Sequence, residues 1–171
     1  MSDALLIHFE TTGSSLLSAH PSLNGRWSIR RVDRRVEFSM PPLDDVGYEV
    51  GATCEEWGIL PRAGPWEDVP WEPFEWSIEE MCAAYFGLVR ALISPDAQVR
   101  VQYDHGRAMQ VTVELLTVDG WFVFDAAPLT RGPAALLPHD VILQNKHLPS
   151  RHPFTGLTAT GVRTYPWSHG A

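Results

Sequence analysis

The chain has no apolar run approaching the ~20 residues that a membrane span needs. It has two cysteines, Cys54 and Cys82, with no CxxC pair, and a single lysine, Lys146. The cysteine pattern excludes a disulfide framework and reads as two reduced thiols. The lysine shortage leaves twelve arginines as nearly all of the basic charge, a composition bias given no functional weight. A Gly-rich phosphate loop, a Walker motif and a G-x-S-x-G elbow are all missing. Without them the commonest signatures of nucleotide binding and serine hydrolysis are gone. The histidines (His8, His20, His105, His139, His147, His152 and His169) lack ligand spacing on any helix, so no metal and no cofactor is expected. MSDALLIHFE has no basic n-region and no cleavage site after its short apolar run. No secretory signal is therefore expected, and the cytoplasm is the expected compartment. A net charge of −8 argues against a broad nucleic-acid or anionic-membrane surface.

At 171 residues and 44% hydrophobic, the chain suffices for one domain, residues 1–171, with a sizeable core. The charge is unevenly distributed. Residues 44–80 hold eleven carboxylates against Arg62 alone, a net of −10, so the rest of the chain sums to +2. The same stretch contains Trp57, Trp66, Trp71 and Trp76.

Hydrophobic periodicity supplies the elements. ALLIHF (4–9) reads as a first strand. Alternation on both sides of Val32-Asp33-Arg34 reads as a β-hairpin, and its Arg30, Arg31, Arg34 and Arg35 as a solvated tip. Val46, Tyr48 and Val50 suggest another strand within 46–54. Four prolines, Pro61, Pro65, Pro70 and Pro73, argue for a long ordered acidic loop over 57–76. Ser77-Ile78-Glu79-Glu80 has capping-box spacing, and Ile78, Met81, Cys82, Tyr85, Val89, Leu92 and Ile93 share one face of a helix over about 77–93. Pro95 ends it. Three alternating runs follow, 99–103, 109–118 and 121–125, with turns at Asp104-His105-Gly106 and Asp119-Gly120. Val141–Leu143 reads as one more strand. The expected architecture is α+β: one main amphipathic helix packed on a mainly antiparallel sheet. In that arrangement Ile78, Met81, Tyr85, Val89 and Leu92 are buried against 99–125.

One resemblance bears on catalysis. Cys82, His105 and Asp125 fall in order on a helix and the strands after it. LVRALISP (88–95) and GWFVFDAAP (120–128) are faintly similar to the helix end and last core strand of the transglutaminase-like or papain-like core. The resemblance implies a small cysteine-dependent hydrolase or acyltransferase with those three residues as its catalytic set. The pattern departs at two places: aligning the strand puts Gln110 at the histidine position, and aligning the helix puts Ile78 at the nucleophile. The apolar face also favours an inert Cys82.

The expectation that follows from charge is different. A non-enzymatic binding protein would dock a basic protein partner through the acidic Trp-rich stretch. Trp66, Trp71 and Trp76 would be its anchors, and Glu67, Asp68, Glu72 and Glu75 its steering rim. An immunity or antitoxin-like inhibitor of a toxin enzyme is one such role. A plain interaction domain of a larger assembly is another.

Overall fold

The computed structural model describes residues 3–68, 70–73, 77–105, 107–117, 119–128 and 140–150. Among the described residues the fold is α+β, with two α-helices and two antiparallel sheets. No helix among the described residues is long and apolar enough to cross a membrane.

The chain opens with a helix, α1 (Ala4–Ser18), where a strand over 4–9 is expected. The misreading is one of window length. Six apolar-rich residues suit either state, but the buried set continues as Leu5, Leu6, Phe9, Gly13 and Leu17, a single helical face. The hydroxyl residues between them lie on the other side, and Thr11 Oγ1 donates back to the Ile7 carbonyl at 2.8 Å. Gly13 is required here, because an added Cβ would sit 2.4 Å from Cζ of Phe86.

A five-stranded meander follows: β1 (Ser28–Val32), β2 (Arg35–Met40), β3 (Val50–Glu55), β4 (Gly58–Ala63) and β5 (Trp66–Glu67), in that spatial order. The β1–β2 hairpin is the expected one, and Asp33 at its tip takes φ of 53°, as the turn requires. The strand expected in 46–54 begins later, at Val50.

The expected 57–76 loop is largely absent, because its first half is β4 and β5. Pro61 is tolerated for a specific reason. Ile59 exchanges both backbone hydrogen bonds with Trp71, so the odd-numbered positions of β4 turn their backbones away from β3. The missing Pro61 donor thus faces the ragged edge, where Asp68 N–H still reaches the Pro61 carbonyl at 3.2 Å. Proline is accommodated at such an edge and not inside a sheet.

The second helix, α2 (Ile78–Leu92), forms as its sequence dictates. Ser77 Oγ accepts from the Glu80 amide at 3.1 Å, and the Glu80 carboxylate accepts from the Ser77 amide at 2.9 Å. Met81, Tyr85, Val89 and Leu92 are buried, and Ile78 is half-buried.

The partner of this face differs from expectation. The aromatic residues of α2 pack on α1 and the first sheet, with Phe9 5.5 Å from Tyr85 and 4.9 Å from Phe86, and Phe38 5.8 Å from Phe86 between ring centres. Tyr85 Oη donates to the Gly51 carbonyl of β3 at 2.9 Å. The second sheet meets α2 through its next strand, β6 (Ala97–Asp104).

That sheet adds β7 (Arg107–Thr117), β8 (Gly120–Pro128) and β9 (Val141–Leu143), in the spatial order β8-β7-β6-β9. The meander and the late strand at 141–143 are as expected. Asn145 ties the returning segment down. Its side chain accepts from the Tyr48 amide at 3.1 Å and donates to the carbonyls of Tyr48 and Leu92 at 3.0 Å each. It thereby caps the C-terminal end of α2 from a position far along the chain.

Candidate functional site

The catalytic alternative fails on geometry. Cys82 is fully buried, and burial, with a smaller push from Glu79, raises its thiol to about 12. His105 stands on the β6–β7 turn with its side chain 96% exposed. Asp125 pairs across from Val113, six residues along β7 from Arg107, which pairs with Asp104 beside that turn. At about 3.3 Å per residue the separation is roughly 20 Å. Asp125 is also engaged, accepting the indole N–H of Trp66 at 2.7 Å. The three residues are not brought together. Among the described residues no group of three or more His, Cys, Asp or Glu is placed to hold a metal ion.

The expected docking residues divide. Trp66 and Trp71 are buried, at 0% and 1% exposure, so neither is a surface anchor. Trp71 stacks edge-on to Tyr85 at 5.9 Å and gives its indole N–H to Asp68 at 2.7 Å. Trp66 stacks edge-on to Phe124 at 6.4 Å. These tryptophans seal the core, and nearby carboxylates satisfy their indole donors, as buried tryptophan requires. Trp57 likewise donates to Glu55 at 2.6 Å, with its ring exposed. Glu67 and Glu72 are exposed and Asp68 is half-buried. Glu75 and Trp76 lie outside the described residues.

Two carboxylates of the 44–80 stretch lie beside a basic side chain. Arg34 approaches Glu56 at 3.8 Å, and His8 approaches Glu79 at 3.2 Å. The hairpin arginines are matched too, Arg31 by Asp3 and Glu10, and Arg35 by Glu37.

A run of consecutive exposed apolar side chains lies elsewhere. Trp121, Phe122 and Val123, consecutive on β8, are 44%, 39% and 50% exposed. The Trp66 contacts to Phe124 and Asp125 set the residues that follow this strip against β5, next to Glu67. The fold thereby joins two stretches that contain no Lys or Arg. Residues 63–80 carry Glu67, Asp68, Glu72, Glu75, Glu79 and Glu80, and residues 108–128 carry Glu114, Asp119 and Asp125.

Glu114 is not part of the open rim. It lies on the outer face of β7, between buried Val113 and Leu115, and accepts from Gln98 and from Arg100 Nε at 2.8 Å. Burial works to raise its carboxyl. The hydrogen bonds from Arg100, then Gln98, outweigh burial and hold the carboxyl below the ordinary range. The exposed acids nearest these contacts are Glu67, next to Trp66, and Asp119, which directly precedes β8, whereas Glu72 lies beside Gly58 at the other end of β4.

Periodicity reads WFVF as a core strand and so misses this strip. The available signal is the loss of alternation: unbroken apolar residues on a hairpin's outer strand place side chains on both faces, and only one face has a core to enter. Compared with known protein families, curated proteins and solved structures, the chain matches none of them.

Proposed function

We propose that this is a non-enzymatic binding protein that docks a basic protein partner, with Trp121, Phe122 and Val123 as the apolar contact and Glu67 and Asp119 as the acidic rim. The observation that supports the reading is the three-residue apolar exposure on β8, inside one stretch without a basic residue (108–128) and near a second (63–80). Aromatic anchors inside a charged rim are the usual anatomy of a specific interface. One-signed charge around them accelerates the encounter with a partner of the opposite sign. Inhibition of a basic enzyme in the manner of an immunity protein is one role this surface fits.

The test is a parallel capture at low salt with three baits: the native protein, Val123→Lys, and a Glu67→Gln/Asp119→Asn variant. The expected result is a basic protein held by the native bait, released by moderate salt, and depleted from both variants. An identical set of proteins on all three baits overturns the reading.

A further inference from the structure

We propose that β8 receives its partner by strand addition, with an extended basic segment pairing its backbone against the outer edge of residues 120–123. This rests on the docking reading above and specifies how the partner binds.

Among the described residues the two sheets have four edges. β1 carries exposed Arg30 and Arg31, and Arg31 is tied back to Asp3 and Glu10 of α1. β5 is two residues long and β9 three. Charge and shortness are the ordinary devices that keep an edge from templating another strand. β8 is nine residues long and has neither charge nor proline from Gly120 to Phe124.

β8 has one such device, a bulge. Val113 and Glu114 face Asp125 and Val123, which leaves Phe124 as the extra residue. The bulge lies past Val123, so Gly120 to Val123 keep regular register with Thr117 to Glu114. Along these four residues alternate backbone groups point away from β7, and no strand among the described residues takes them.

Charge selects the occupant. A second copy pairing through its own β8 would offer residues 108–128, which hold no Lys or Arg, and so would bring no opposite charge to Glu67 and Asp119. An extended segment with Lys or Arg at alternate positions brings the opposite sign to the same rim. Its intervening apolar side chains meet Trp121 and Val123, which share one face of the strand.

The probe is a short synthetic peptide of alternating lysine and valine, compared with the same peptide N-methylated at alternate residues and with a glutamate–valine peptide. Binding is read by titration, and amide hydrogen exchange reports residues 120–123. The lysine peptide is expected to bind and to slow exchange there. The N-methylated peptide is expected to bind about tenfold more weakly, the factor that two lost hydrogen bonds are worth. The glutamate peptide is expected not to bind. Val123→Lys, at a half-exposed site that leaves the fold intact, is expected to abolish the protection.

Equal binding by both lysine peptides overturns strand addition and leaves the docking of a basic partner standing. Failure of every lysine peptide at low salt overturns both. Dimerisation that protects 120–123 without peptide assigns the edge to a second copy and overturns the proposal.

Discussion

Replacing Asn145 with alanine should destabilise the protein out of proportion to the three atoms removed. Asn145 is 1% exposed and makes three hydrogen bonds, all to backbone groups. The Leu92 carbonyl keeps a partner after the change, because Tyr48 Oη also donates to it at 2.9 Å. The Tyr48 amide and carbonyl lose the partners that the side chain supplied. Each buried group left unpaired costs about 1–3 kcal/mol, so the pair amounts to about 2–6 kcal/mol. A water entering the vacated space would recover part of this and favour the lower half of the range. For a chain of this length, about 3 kcal/mol corresponds to a fall in Tm of about 6–12 °C. Asn145→Asp should be no better. It keeps an acceptor for the Tyr48 amide but turns a carboxylate oxygen toward two carbonyls. Urea denaturation followed by circular dichroism measures both variants. An Asn145→Ala midpoint within about 0.5 kcal/mol of the native protein would refute the assignment of Asn145 as the tie between the 140–150 segment, the β2–β3 connection and the end of α2.

Gly13→Ala should destabilise by about 1–3 kcal/mol through overpacking against Phe86, again read by urea denaturation; a neutral result would contradict the α1–α2 contact. Cys82, with its thiol raised to about 12 by burial, should react with thiol reagents only as fast as the protein unfolds, and rapid labelling of the native state would contradict its core position. His147 is buried, and the Pro41 carbonyl lies near its ring without forming a hydrogen bond of good geometry. Burial first, then the charge of Arg26, lower the imidazole below its ordinary range, against a smaller opposing effect of Asp44. The unfolded chain therefore takes up the proton more readily. Stability should hold above about pH 6.5 and decline as pH falls below it, and His147→Gln should flatten that decline. Glu114, held low, should lose its contribution only below the ordinary carboxylate range, about pH 4.3. An unchanged pH slope in His147→Gln would contradict the assignment.

The elements legible in the sequence are those whose signals are local and redundant. α2 carries a capping box and a long apolar face, and the β1–β2 hairpin carries alternation on both sides of its turn. α1 was not legible from ALLIHF, because only the later positions Gly13 and Leu17 reveal a helical face. β4 defied its proline because the missing donor faces a sheet edge, which composition does not disclose.

The candidate site was less legible still. Residues 44–80 do carry the charge that composition counts, but folding pairs Glu56 with Arg34, Asp68 with Trp71 and Glu79 with His8. Trp66 is sealed in by Phe124 and Asp125, partners distant in sequence. What survives of the acidic stretch at the surface becomes meaningful only once β5 lies against β8, and no pattern along the chain encodes that juxtaposition.

The central claim is that a basic partner is drawn to the acidic rim around β8. Its most direct test is the association rate of the captured partner as a function of ionic strength, for the native protein and for Glu67→Gln/Asp119→Asn. Rim charges act chiefly on the on-rate and lose their effect beyond about 10 Å at 0.1 M salt. The expected result is a native rate that falls steeply with salt and a variant rate that is slower, nearly independent of salt, and accompanied by little change in off-rate. Matching rates and matching salt dependence in the two proteins would contradict the account.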